Sequence, residues 1–103
     1  MNKIIKIKST SEIPKDFTGI VEFSNGTKYW YLNGKLHREN DLPAVELSDG
    51  TKFWYLNHKL HRETGPAVEY SDGTKQWWYL GELCADFEEV KQKHYHRICN
   101  PNN

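Results

Sequence analysis

Apolar and polar positions alternate through the middle of the chain. Val21, Phe23, Val45, Leu47, Val68 and Tyr70 flank Glu22, Glu46 and Glu69, the two-residue period of strands with one buried face. Further along come the aromatic runs Tyr29-Trp30-Tyr31-Leu32, Phe53-Trp54-Tyr55-Leu56 and Trp77-Trp78-Tyr79-Leu80, which favour extended backbone. Between strand and aromatic run sit turn residues such as Ser48-Asp49-Gly50-Thr51, where Asp bonds local backbone and Gly accepts positive φ. Asn33-Gly34 is the strongest hairpin signal, with Asn57-His58 a weaker equivalent. Each stretch therefore predicts strand, turn, strand, turn and a short final strand. Alternation assigns Trp30, Leu32, Trp54, Leu56, Trp78 and Leu80 to one face. Tyr29, Tyr31, Phe53, Tyr55, Trp77 and Tyr79 go to the other.

These stretches are near-copies. Gly26, Gly50 and Gly73 fall 24 and 23 residues apart, as do Leu36, Leu60 and Leu83. Matching Trp-Tyr-Leu in the third copy to the earlier two inserts one residue before Trp78 and removes one from the following turn. That predicts a β-bulge near Gln76. The matched tryptophans Trp30, Trp54 and Trp78 should then line up as a shared spine, the stacked core that no single copy buries alone. The ends read as caps. Lys3 to Lys8 alternates lysine and isoleucine, an edge strand with Ile5 and Ile7 on its inner side. Asp86-Phe87-Glu88-Glu89 is a helix start, and Phe87, Val90, His94 and Ile98 follow at helical spacing. The expected fold is mainly β: an elongated antiparallel hairpin-repeat sheet with an N-terminal edge strand and a C-terminal capping helix. It forms one domain over residues 1–103, with strand and connector at 1–18, copies at 19–42, 43–65 and 66–85, and helix and tail at 86–103.

The units Asp-Gly-Thr-Lys-x-Trp-Tyr-Leu-Asn-x-Lys-Leu-His-Arg-Glu and Gly-Pro-Ala-Val-Glu resemble the MORN-like repeats of small bacterial and phage proteins. The resemblance covers residues 19–86. It implies serial β-hairpins in an elongated sheet, used as a binding surface and not as a catalyst. Relative to the common pattern this version is poorer in glycine and richer in Trp-Tyr and His-Arg-Glu, which argues against membrane-lipid binding. The Lys/Asn/Ile-rich composition is similar to that of small mobile-element proteins. That likeness implies a role in blocking a host defence complex, such as a nuclease, as an anti-CRISPR protein does.

Composition narrows the chemistry. The 103 residues carry 14 Lys+Arg against 14 Asp+Glu, without the basic surplus of a general nucleic-acid binder. Glu22, Glu46 and Glu69 offset Lys28, Lys52 and Lys75. Mean hydropathy is −0.85, and no apolar run is long enough for a membrane span or a secretory h-region. With two cysteines, Cys84 and Cys99, and no export signal, a reducing cytoplasm and free thiols are expected. Leu-His-Arg-Glu at 36–39 and 60–63 offers His37 and His61 as acid–base groups or ligands. A motif copied twice is better explained as a local fastening, with His and Arg bonding backbone or the following Glu. His37, His61 and Cys84 occupy equivalent positions, roughly 9–10 Å apart in stacked hairpins, too far to share a metal ion. Cys84 with His94, His96 and Cys99 has no recognised zinc spacing. No catalytic residue, metal or cofactor is expected.

Protein binding remains. Aromatic residues make up 14% of the chain, and Tyr, Trp and Arg anchor interfaces. The expected contact residues are Tyr29, Tyr31, Arg38, Phe53, Tyr55, Arg62, Trp77 and Tyr79. The rings would fill partner pockets, and the arginines would take partner carboxylates in bidentate fashion. The alternatives are a structural module that self-assembles through open sheet edges, for instance as a homodimer, and a nucleic-acid binder.

Overall fold

A computed structural model describes residues 4–7 and 13–99, with nothing described of the Cys99 side chain. In chain order the strands are β1 (Ile4–Ile7), β2 (Gly19–Phe23), β3 (Lys28–Leu32), β4 (Lys35–Leu36), β5 (Val45–Glu46), β6 (Lys52–Phe53), β7 (Tyr55–Leu56), β8 (Lys59–Leu60), β9 (Val68–Glu69), β10 (Lys75–Tyr79) and β11 (Glu82–Cys84). Helix α1 (Phe87–Cys99) follows. The main sheet runs β1-β2-β3-β5-β6-β9-β10-β11, with β4 paired to β3 and β7-β8 a separate hairpin. The protein is mainly β, and its extents are 42 × 33 × 22 Å. The sheet is mixed, not wholly antiparallel: β1 lies parallel to β2, with Ile5 opposite Val21. A connector as long as residues 8–18 gives the chain the reach a parallel return needs.

The turn chemistry repeats from station to station. Asn25, Asp49 and Asp72 each accept the N–H two residues on, from Thr27, Thr51 and Thr74, at 2.9, 2.9 and 2.8 Å. Gly26, Gly50 and Gly73 follow at φ 96, 96 and 93°, where only glycine sits without strain. Buried Thr27 and Thr51 then accept the N–H of Ser48 and Ser71 in the neighbouring unit, at 3.2 and 3.1 Å.

The third copy departs from the expected alignment. Gln76 pairs with Val68, which also pairs with Phe53. Its carbonyl takes the Ala67 N–H at 2.8 Å, as Phe53's takes the Ala44 N–H at 2.9 Å. Gln76 thus stands at the Phe53 station inside a paired strand, and no bulge forms there. Trp77 takes the Trp54 station, Trp78 the Tyr55 station and Leu80 the Asn57 station. The turn bonds agree: Gly81 N–H to Leu60 O at 2.9 Å matches His58 N–H to Leu36 O at 2.8 Å. The expected row Trp30, Trp54, Trp78 is therefore Trp30, Trp54, Trp77. The turn station that asparagine fills in the first two copies is held by a leucine in the third: Leu80 stands at φ 48°, where Asn33 and Asn57 have 52 and 50°. A leucine there is unusual and costs roughly 1–2 kcal/mol.

Two small cores lie at opposite ends. Ile7, Phe17 and Val21 gather Ile5, Ile13, Phe23, Tyr29 and Tyr31 at the N-terminal end. Tyr79, Cys84 and Val90 gather Trp77, Leu80 and Phe87 under α1 at the other. The helix begins as its sequence dictates: Asp86 accepts the Glu89 N–H at 3.0 Å, and Glu89 accepts the Ala85 N–H at 2.8 Å. Ile98, expected on the inner face, is 62% exposed, because α1 packs on β10 and β11 through its first turns. None of the described helices is long and apolar enough to cross a membrane.

Candidate functional site

Cross-strand register decides which side chains meet. Val21, Tyr29, Val45, Phe53, Val68 and Gln76 are paired in one row, so they share a face. Alternation puts Tyr31, Tyr55 and Trp78 on that face as well. Its rings touch edge-on or tilted: Tyr29 to Tyr31 at 6.3 Å, Phe53 to Tyr55 at 6.5 Å and Phe53 to Tyr70 at 6.4 Å. Burial raises the Tyr31 and Tyr55 hydroxyl pKa values above their ordinary 10.0, and nearby Tyr29 adds to it. All four of Tyr29, Tyr31, Phe53 and Tyr55 are half-buried.

The opposite face carries Trp30, Trp54 and Trp77 with the two His-Arg-Glu motifs. The Arg38 guanidinium lies over Trp30 at 3.7 Å, and that of Arg62 over Trp54 at 3.9 Å. Each arginine also ties down the next unit. Arg38 Nη1 donates to Pro43 O at 3.0 Å and Glu46 Oε2 at 3.2 Å. Arg62 Nη1 donates to Pro66 O at 3.1 Å and Glu69 Oε2 at 3.2 Å. The histidines span units too. His37 Nδ1 accepts the Asn57 N–H at 3.0 Å and His61 Nδ1 the Leu80 N–H at 2.8 Å. Their Nε2 atoms face Glu39 and Glu63. With Nδ1 accepting, the proton sits on Nε2. The motif is thus an inter-unit fastening. Cys84 pairs with Trp77 at the same station; it is a free, buried thiol whose pKa is raised by burial.

The eight expected contact residues therefore divide between faces. Tyr29, Tyr31, Phe53 and Tyr55 form one group. Arg38, Arg62, Trp77 and Tyr79 lie on the other side, with Tyr79 only 5% exposed beneath α1. Trp78, not Trp77, continues the tyrosine face, and Tyr70 joins it. The ungapped register would have signalled Trp78. Tyr70, one alternation beyond Val68, was legible as an inward strand residue. Among the described residues no group of three or more His, Cys, Asp or Glu could hold a metal ion.

Comparison with family models, curated proteins and solved structures finds no match for this chain. The likeness to MORN-like repeats accordingly rests on the repeated motif itself.

Proposed function

We propose that the protein is a non-catalytic protein-binding module whose contact surface is the tyrosine face. The observation behind this reading is the position of the two cores. They occupy the two ends, and between them Phe53, Tyr55 and Tyr70 form a half-exposed aromatic stripe, with Tyr70 38% exposed and Leu83 beyond it 58% exposed. Aromatic rings held by a paired sheet lose little conformational entropy on docking, and such residues dominate interface energetics. The finer reading is a phage or mobile-element inhibitor that occludes a host nuclease or defence complex. Support for that comes from the motif resemblance alone. A Tyr31→Gln/Tyr55→Gln double variant with unchanged circular dichroism should lose capture of its partner from a host lysate. Full capture by that folded variant would remove the surface. Self-association is the second reading, favoured by the place of β1 at the end of the strand order among the described residues, where Ile4 is 57% exposed. Light scattering reporting a dimer at micromolar concentration would support it.

A further inference from the structure

Arg62 and Arg38 occupy equivalent stations but differ in what completes them. Arg62 holds an internal ligand. Its Nε and Nη2 donate to Asp41 Oδ1 and Oδ2 at 2.9 and 3.3 Å, a bidentate pair. The Asp41 carbonyl accepts the Trp54 indole N–H at 3.0 Å, and Thr64 donates to the same carboxylate at 2.8 Å. One acidic residue is thus read twice, through its carboxylate and through its backbone.

The Arg38–Trp30 station has the same donors, and no acidic residue completes it among the described residues. Among the described residues, Arg38 donates only from Nη1, to Pro43 O and Glu46, and the Trp30 indole N–H has no acceptor. The cause is chain length. The Phe17 carbonyl takes the Gly34 N–H as Leu36's takes that of His58, and Thr18 Oγ1 takes the Asn33 N–H at 2.8 Å as His37 takes that of Asn57. From these matched points the chain reaches Val45 through residues 37–44, a loop that carries Asp41. It reaches Val21 through residues 18–20 alone, with no loop to lay over Arg38. What remains is a concavity of ≈ 330 Å³ bordered by Trp30, Arg38 and Thr18, with Leu32 and Leu42, 38% and 43% exposed, on its rim.

The geometry points to a docking notch for an acidic residue in an extended loop of a partner protein. Its carboxylate is received by Arg38 Nε and Nη2 and its backbone carbonyl by the Trp30 indole N–H. The nearby Glu39 and Glu46 do not forbid an anion, because Glu63 and Glu69 stand in the same places around Arg62 and Asp41 is accepted there. This site lies on the face opposite the tyrosine stripe and does not depend on it.

The test uses the full chain and an acetylated, amidated peptide copying residues 39–43, Glu-Asn-Asp-Leu-Pro. The readout is the indole ¹⁵N–¹H resonance of Trp30, assigned with Trp30→Phe. At millimolar peptide this resonance should shift, with those of Trp54, Trp77 and Trp78 unmoved. A peptide with Asn in place of its central Asp should bind at least about tenfold more weakly, the scale of a lost charge-assisted pair, and Arg38→Lys should weaken the parent peptide similarly. No Trp30 shift, or equal shifts with the Asn peptide, overturns the proposal. So does a Trp30 shift on protein dilution alone, which would mean a second copy fills the notch.

Discussion

Replacing His61 tests the view that the Leu-His-Arg-Glu motif is a fastening. The His61 side chain is 3% exposed. Its Nδ1 accepts the Leu80 N–H at 2.8 Å, and its ring lies 4.6 Å from that of Tyr79. His61→Ala strands the Leu80 N–H in a part-buried position, at about 1–3 kcal/mol. It also leaves a void beside Tyr79 and Trp54, worth roughly 1–2 kcal/mol more for a side chain smaller than phenylalanine. The expected loss is about 3 kcal/mol, a large share of the ~5–15 kcal/mol that holds a domain folded. His61→Asn keeps an acceptor close to the Nδ1 position and should lose only about half as much. His37→Ala should cost about 1–2 kcal/mol, because the Asn57 N–H it serves is exposed and water replaces the acceptor. Urea denaturation measures all three, with shifted midpoints at constant slope. If His61→Asn is as damaging as His61→Ala, the accepted N–H is not what the histidine supplies and the reasoning fails.

Other substitutions probe the turns and charges. Gly34→Ala should cost more than about 2 kcal/mol in the same assay, because the new Cβ meets Lys15 O at 2.2 Å and φ is already +80°. His58→Gly relieves a residue at φ 71° in a two-residue hairpin turn but removes the Nδ1 acceptor of the Leu36 N–H at 3.3 Å and the ring beside Tyr55, so the two effects should offset to within about 0.5 kcal/mol; a larger midpoint shift in either direction would contradict this. Asp41 is held below the ordinary carboxylate value of 3.8, first by the Arg62 hydrogen bond and further by that of Thr64, against some desolvation. Backbone hydrogen bonds from Thr51 and Thr74 lower Asp49 and Asp72. A carboxyl lowered on folding stabilises fully above its unfolded value, and that stability is lost as the pH falls through the folded value. Unfolding monitored between pH 5 and pH 2 should therefore show stability draining away below about pH 4, with a shallower loss in Asp41→Asn.

Much of the architecture was legible because its causes are local. Asx turns at Asn25, Asp49 and Asp72, the Asn33-Gly34 hairpin, the Ile5/Ile7 edge strand and the Asp86 cap each depend on a few neighbouring residues. Similarity of letters across Gln76-Trp77-Trp78-Tyr79-Leu80 points to a gapped third copy, whereas the hydrogen-bond ladder keeps an even count and puts Leu80 into the turn. The ladder therefore exchanges the faces of Trp77 and Trp78, since a slip of one residue reverses every side chain in a strand.

The sequence by itself determined that this is a β-hairpin protein with a helix at its end, and that the twice-copied His-Arg-Glu motif is a fastening; that it fastens each unit to the next was decided by the packed sheet. Which groups are satisfied and which remain open was decided only in three dimensions. Arg38 and Arg62 have the same flanking residues and stack on equivalent tryptophans. They differ because a loop carrying Asp41 folds over Arg62, while the chain before Gly19 passes too directly to supply one for Arg38. Partners of that kind come from chain segments distant in sequence, and only the packed sheet brings them to one place.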